Sequence, residues 1–292
     1  MMAAPLKTIV KDYTRYLQAF QLFLERSSEH QCMREFIQKI LPEILSSIGN
    51  GKDTINVLGV GSGAGEMDLD MLHQLRLKHP DAKVDNEVVE PSGDMLHRYK
   101  ELVSKTPDLD HITFRFNKMT SSEFEENWKQ RNTDKKMDFI HLIQMLYYVK
   151  HPEATIEFFR SLLNKDGKLL IIVVAGDSGW APLGMYHEEI CDNDLSQCIT
   201  TDHIQEFLDT RGIPYSKYRL PTELDITECF TPGDEQGELL LDFITEVEDF
   251  SKNVSPELRA GVVQLLKQPE CSREENGRIM LDTSLEAIIF GA

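Results

Sequence analysis

Glu90 is the side chain from which a chemical reading of this sequence starts. It ends the run Asn86-Glu-Val-Val-Glu90 and is stopped by Pro91, which marks an acid at the tip of a strand. Ahead of it, Ile55-Asn-Val-Leu-Gly-Val-Gly-Ser-Gly-Ala-Gly-Glu66 passes from an apolar strand into a glycine-dense turn and then a helix. Glycine tolerates the positive φ angles and the close backbone approach that such a turn demands. Gly61 and Gly63 are therefore expected to line a nucleotide-like cofactor, with the free N–H groups of the following helix aimed at it. The pattern Gly59-Val-Gly61-Ser-Gly-Ala64 fits the dinucleotide fingerprint when its third position is Ala. An acid at the tip of the next strand is placed to accept both hydroxyls of an adenosine ribose, the role expected of Glu90. The alternatives are a structural glycine turn without a ligand and a solvated strand end.

Ligands of open α/β sheets bind beyond the carboxyl ends of the strands. The next such tips are Glu90-Pro-Ser92, Lys118-Met-Thr-Ser121 and Leu142-Ile143-Gln144. Acid, hydroxyl and apolar contacts in that order suit ribose, adenine edge and adenine face, which adds Ser92, Ser121 and Ile143 to the cofactor candidates. Ser121 is equally placed to cap a helix, with Ser122 and Glu123 beside it, and one residue can serve both roles. The quartet His187, Cys191, Cys198 and His203 lacks the close Cys-x-x-Cys pair of common zinc sites, so no metal is expected. A nicotinamide enzyme would show an acid–base constellation such as Tyr-x-x-x-Lys, and none is present.

The elements that must hold these tips follow from periodicity. Tyr13, Tyr16, Leu17, Phe20 and Phe23 recur at spacings of three and four and share one helical face. Such a stripe packs a core more often than it lines a pocket. A second helix is predicted after Ser27-Ser28, with Ser28 as N-cap, running to a break at Pro42. Strands then alternate with helices: 55–60, 65–78, 83–89, 92–104, 112–116, 122–130, 137–143, 152–163 and, after the turn Asp166-Gly167, 168–174. A helix over 201–210 and a strand over 215–220 follow. This alternation predicts an α/β fold, a mostly parallel Rossmann-like sheet flanked by helices. Residues 221–277 break the rhythm with acidic loops and two helices, near 238–250 and 256–266, and are expected to form a smaller accessory substrate lobe. Residues 1–220 with 278–292 would form the cofactor-binding domain, its N-terminal helices contributing to the substrate pocket. The closing strands 278–281 and 284–290 would return to the sheet edge.

With 292 residues, 41% apolar and 27% charged, the composition is that of a globular chain with a sizeable core. The net charge of −18 would repel phosphate backbones and anionic lipid, which argues against nucleic-acid and membrane partners, and would attract a small cationic substrate. Five scattered cysteines suit reduced thiols. No basic-then-apolar leader opens the chain, so a cytoplasmic protein is expected, and a monomer.

The run Met137-Asp-Phe-Ile-His-Leu-Ile-Gln-Met-Leu-Tyr-Tyr-Val149, with Leu162-Leu-Asn-Lys-Asp-Gly-Lys-Leu-Leu-Ile-Ile-Val173 after a helix, resembles the second half of class I S-adenosylmethionine-dependent methyltransferases. In that family the fourth strand tip lies beside the sulfonium, and a Leu-x-x-x-Gly-x-Leu turn introduces the fifth strand. The proline-containing tetrad of DNA-amino methyltransferases is missing after Ile143, which agrees with the acidic charge. Ser28-Glu29-His30-Gln31-Cys32-Met33, Glu87-Val-Val-Glu-Pro-Ser92, Thr120-Ser-Ser-Glu123 and Ile143-Gln-Met-Leu-Tyr-Tyr-Val-Lys150 narrow this to a resemblance with the histamine N-methyltransferases. Ser178-Gly-Trp180 and Leu240-Leu-Asp-Phe243 extend it over essentially the whole chain.

The resemblance implies an enzyme that transfers a methyl group from S-adenosyl-L-methionine to a ring nitrogen of histamine, inactivating it. It implies cofactor contacts from Gly61, Glu90, Ser121 and Ile143. Glu29 would hold the substrate, with Gln144, Tyr147 and Tyr148 near it and Tyr16, Phe20, Phe23, Trp180 and Phe243 as an aromatic wall. Thr283 stands where the family has a substrate-binding Asn, Met95 where a cofactor-side Gln is typical, and Ala181-Pro-Leu-Gly184 replaces a second pocket Trp. The hydroxyl of Thr283 lacks the two donors of an amide, and loss of the Trp would widen the pocket. A related amine with a refitted pocket, or a non-catalytic binding module on the same fold, are the alternatives.

Overall fold

The computed structural model describes residues 6–49, 51–131, 133–186, 190 and 198–292. Helix α1 (Tyr13–Arg26) starts where the Asp12 carboxylate accepts from the Arg15 N–H, and it ends at Ser27 in extended conformation. Helices α2 (Glu29–Lys39) and α3 (Leu41–Ser46) are separate pieces, with Pro42 in the first turn of α3, where a missing N–H is harmless. The Ser28 hydroxyl accepts from the Glu223 N–H, and that of Ser27 accepts from the Glu29 N–H at the start of α2.

Strand and helix then alternate as the periodicity demands. The order is β1 (Thr54–Val60), α4 (Glu66–Lys78), β2 (Lys83–Val89), α5 (Gly93–Lys105), β3 (Ile112–Asn117), α6 (Ser121–Arg131), β4 (Met137–Ile143), α7 (Pro152–Ser161) and β5 (Leu163–Val174). After α8 (Thr201–Thr210) come β6 (Tyr215–Leu220), β7 (Glu223–Asp225), α9 (Glu235–Thr245), α10 (Phe250–Asn253) and α11 (Pro256–Leu266). Strands β8 (Ser272–Glu275), β9 (Arg278–Asp282) and β10 (Leu285–Gly291) close the series.

Seven strands form one sheet in the order β3-β2-β1-β4-β5-β10-β6. The pairs β1–β2, β1–β4, β2–β3 and β4–β5 are parallel, and the order reverses direction between β1 and β4. In the open α/β plan that reversal opens a crevice at the strand tips. Strand β4 is apolar apart from Asp138 and His141, and its residues 137–142 are buried, as expected of a strand covered on both faces. Strand β5 begins earlier than the turn Asp166-Gly167 suggests. Its register against β4 jumps from Met137–Leu163 to Phe139–Lys168, so the turn is absorbed as an irregularity within the strand.

The chain divides into two compact units. One comprises Met33–Val173, His203–Tyr218 and Glu286–Ala292 and contains nearly all of the seven-stranded sheet. The other comprises Met1–Cys32, Val174–Asp202 and Arg219–Leu285. It is built on a core that includes Phe23, Leu224, Ile226, Leu240, Ile244 and Phe250.

Three expectations are corrected. Strand β9 does not return to the main sheet but lies in the middle of a three-stranded sheet, β7-β9-β8, whose short outer strands carry no sequence signal of their own. Strand β10 does return, but between β5 and β6 and not at an edge. The helix expected over 238–250 is broken after Thr245, because Glu246 (φ 56°) and Asp249 (φ 48°) adopt left-handed backbone. The Asp242 carboxylate rewards that break by accepting the N–H groups of Asp249 and Phe250 at 2.9 and 2.8 Å. Among the described residues no helix is long and apolar enough to cross a membrane.

Candidate active site

The turn between β1 and α4 is shaped by left-handed glycines: Gly61 at φ 70°, Gly63 at 54° and Gly65 at 87°. Two of them are also confined. A Cβ on Gly61 would lie 2.6 Å from the Cβ of Met145, and one on Gly65 would lie 2.3 Å from the ring of Tyr99. Gly63 is different, since a Cβ there would meet nothing within 4 Å. The turn is therefore packed from below at its ends and open at its middle, which suits a backbone cradle for a ligand.

Glu90 is 7% exposed and bridges the turn to the next helix. Its Oε2 accepts from the Gly63 N–H at 3.0 Å and its Oε1 from the Ser92 N–H at 2.8 Å. Burial pushes the Glu90 carboxyl above the ordinary carboxylate range, against the pull of those two N–H groups, and the nearby Asp68 charge adds to the rise. Each carboxylate oxygen has more than one lone pair, so two accepted bonds leave capacity for ribose hydroxyls. These features fit the adenosyl cofactor of the resemblance.

Ser92 is the N-cap of α5, its hydroxyl accepting from the Met95 N–H at 3.3 Å. Met95 thus sits in the first turn of that helix. At α6 the capping box is made by Thr120 and Glu123: the Glu123 carboxylate accepts from the Thr120 N–H and hydroxyl, and the Thr120 hydroxyl accepts from the Glu123 N–H. Capping therefore does not draw on Ser121, the first residue of the helix.

The tip of β4 carries a conformation that sequence reasoning missed. Ile143 ends the strand half-buried, and Gln144 follows at φ 51°, left-handed although it is not glycine. The Tyr147 hydroxyl donates to Gln144 Oε1 at 2.7 Å, and the Gln144 N–H is held by the Ile172 carbonyl at 2.9 Å. Tyr147 and Tyr148 lie on the short 3₁₀ turn Leu146–Tyr148, edge to face. A side chain held in a sparsely populated backbone region, with its amide oriented by a neighbour, is a common mark of a binding site.

In the other unit, the aromatic residues singled out from the sequence do come together. Tyr16 stacks on Phe20, Phe20 on Phe23, and Phe23 on Phe243 with centroids 4.6 Å apart. Trp180 leans on Phe23 and Phe243 and donates its indole N–H to the Ile244 carbonyl at 3.2 Å. Phe23 is core, whereas Tyr16, Phe20, Trp180 and Phe243 are partly exposed. Arg15 and Asp242, each one residue from a member of the cluster, pair at 2.5 Å. Glu29 is buried at the start of α2. Thr283 is wholly buried, and its hydroxyl pairs with that of Thr222 at 2.9 Å. The space over Gly184 is taken by the thiol of Cys198, where a Cβ would approach to 2.8 Å.

Among the described cysteines Cys198, Cys229 and Cys271 are free thiols. His187 and Cys191 of the zinc-type quartet lie outside the described residues, and among the described residues no cluster of three or more metal-type ligands occurs.

Residues 29–213 match the family described as "Methyltransferase domain". Over 290 residues the chain is 60% identical to histamine N-methyltransferase from Danio rerio, covering 99% of both chains. It is 46% identical to carnosine N-methyltransferase 2 from Gallus gallus, over 94% of this chain and 85% of that one. The crystal structure of the YcgJ protein from Bacillus subtilis shares the fold at a TM-score of 0.55 and 12% identity, covering 89% of this chain and 97% of its own. The chain is an enzyme of the S-adenosylmethionine-dependent methyltransferase fold and belongs to the histamine N-methyltransferase family.

Proposed function

We propose that this protein transfers the methyl group of S-adenosylmethionine to a ring nitrogen of histamine. The observation that carries the choice of amine is the 60% identity to histamine N-methyltransferase over 99% of both chains. When bound, S-adenosylmethionine supplies an electrophilic methyl group on a sulfonium. The protein's part is alignment, because a neutral imidazole nitrogen is already nucleophilic and in-line displacement needs position more than a strong base. The chain's residues would hold a ring nitrogen in line with that methyl group, and the proton released from the methylated ring would pass to solvent.

In this reading Gly61, Gly63 and Glu90 hold the adenosyl portion, with Ser92, Ser121 and Ile143 beside them. Glu29 accepts a charge-assisted hydrogen bond from the ammonium tail or from the other ring nitrogen. Gln144, Tyr147 and Tyr148 orient the ring, and the cluster of Tyr16, Phe20, Phe23, Trp180 and Phe243 supplies aromatic faces suited to a flat, partly cationic ligand. Thr283 enters through its pairing with Thr222, as a support and not as a donor to the amine. The net charge of −18 favours approach of a cationic amine. We assign the protein to the cytoplasm as a monomer, with residues 221–277 part of the substrate lobe.

A second reading, a larger imidazole amine, is favoured by the 46% identity to carnosine N-methyltransferase 2. The test is methyl transfer from labelled S-adenosylmethionine to histamine, carnosine and a panel of small amines. Turnover of histamine above the others is the expected result. Donor binding without histamine turnover would overturn the choice of amine.

A further inference from the structure

Beneath the glycine turn, polar side chains from three elements converge where apolar packing would be cheaper. Asp68 from the first turn of α4 is 3% exposed, His141 from β4 is 2% exposed, and Tyr99 from α5 is fully buried. The Tyr99 hydroxyl donates to Asp68 Oδ2 at 3.2 Å, and His141 Nε2 lies 3.7 Å from Asp68 Oδ1. The cluster touches the end of β1 at Gly59 and the turn at Gly65. A Cβ on Gly59 would lie 2.5 Å from Ser62 Oγ, 2.6 Å from His141 Cε1 and 2.8 Å from Asp68 Oδ2. Gly65 rests on the face of the Tyr99 ring, with a would-be Cβ 2.4 Å from both Cε2 and Cγ.

Burial raises the Asp68 carboxyl above its ordinary range and lowers His141, each effect opposed by the other's charge. Burying a carboxylate is costly unless its partners offset the lost hydration. None of these side chains caps a helix or completes a ladder. Asp68 and His141 meet Gly59 at the end of β1 and Tyr99 meets Gly65, so the three flank the turn that carries Gly61 and Gly63.

We propose that Asp68 is a positioning residue for the methyl donor, which with Tyr99 and His141 fixes the height of the glycine turn under the cofactor. The carboxylate ties α4 to α5 and faces His141 on β4, so the N–H groups of the turn and the Glu90 carboxylate are held ready before binding. A cradle held in its bound shape loses less freedom when the ligand arrives. The proposal rests on the assignment of this turn to the donor, and it is independent of which amine is methylated.

The test compares Asp68→Asn, Tyr99→Phe and Asp138→Asn, each checked for folding by circular dichroism. Asp138 is the control, a carboxylate just as buried at the far end of β4, where it accepts from Lys52, the Asn56 N–H and Asn164. Titration calorimetry with S-adenosylmethionine alone should show Asp68→Asn weakened about tenfold, because the amide keeps an acceptor for Tyr99 but loses the charge that Tyr99 and His141 face. Tyr99→Phe keeps the ring against Gly65 and should weaken binding about threefold, because it removes the hydroxyl's bond to Asp68 but leaves the carboxylate facing His141. Asp138→Asn should bind as the parent does. At saturating donor the KM for the amine should be unchanged in all three. Should Asp68→Asn fail to fold, Tyr99→Phe alone decides. Donor affinity within twofold of the parent in the folded variants, or an equal loss in Asp138→Asn, would overturn the proposal. A parent that binds donor without methylating histamine would overturn the choice of amine and leave this inference standing.

Discussion

Gln144 offers a perturbation whose sign is unusual. At φ 51° it holds a left-handed backbone that costs a residue with a Cβ about 1–2 kcal/mol. Gln144→Gly relieves that strain but adds about 0.5–1 kcal/mol of backbone entropy to the unfolded chain. It also removes the acceptor of the Tyr147 hydroxyl, a half-buried hydrogen bond of 2.7 Å worth about 0.5–1.5 kcal/mol. These contributions nearly cancel, so the glycine variant should be as stable as the parent to within about 1 kcal/mol. Gln144→Ala keeps the strain and loses the same hydrogen bond, and should be less stable than the parent by about 1 kcal/mol. At an ordinary helix or strand position alanine is the more stable of the two; here glycine should lead by about 1 kcal/mol, or about 2 °C in Tm for a chain of this length. Thermal and urea melts of the three proteins measure the difference. If Gln144 orients the amine, both variants lose methyl transfer while donor affinity is spared. An alanine variant melting at or above the glycine variant would refute the strain assignment.

Two further predictions concern buried carboxylates. Glu90 titrates above the ordinary glutamate range in the free protein, so donor affinity should fall as pH drops through that raised value, earlier than for an exposed glutamate. The linkage to stability has the opposite sense: a raised carboxyl favours the folded state at low pH and loses that advantage as pH rises through the folded value. Glu90→Gln should bind donor about tenfold more weakly and flatten the pH profile, as followed by calorimetry across the acidic range; an unchanged profile would count against the ribose role. Asp242→Asn turns one acceptor into a donor facing the groups of Arg15, Asp249 and Phe250, and should cost about 2–3 kcal/mol in a urea melt. A loss below about 0.5 kcal/mol would show that water replaces those bonds.

Much of the backbone geometry of the candidate cofactor site was legible because its determinants are local. The glycines between β1 and α4 need positive φ, and an acid before Pro91 marks a strand tip, so both can be read within a few residues. The stripe Tyr16, Phe20 and Phe23 was legible for the same reason, since helical spacing alone puts those rings on one face. Pairing between distant segments was not. Ser272–Glu275 is short and wholly polar, and nothing in its own residues says that it flanks β9. Sequence spacing places His141 in a strand but not within reach of Asp68, although a histidine in an otherwise apolar run was a visible signal. The left-handed turn at Gln144 had no signal, because glutamine has no preference for that backbone and tertiary packing imposes it.

The place of β10 bears on how the chain can come to be folded during synthesis. It fills the gap between β5 and β6, yet residues 175–284 intervene between β5 and β10. A ribosome would deliver β1 to β5 long before the strand that joins them to β6, and until then β5 and β6 would each present an unpaired edge. Unpaired edges are templates for wrong partners. Vectorial synthesis should therefore leave a window in which the emerging chain depends on chaperones, closing only when Ile288, Ile289 and Phe290 have cleared the exit tunnel.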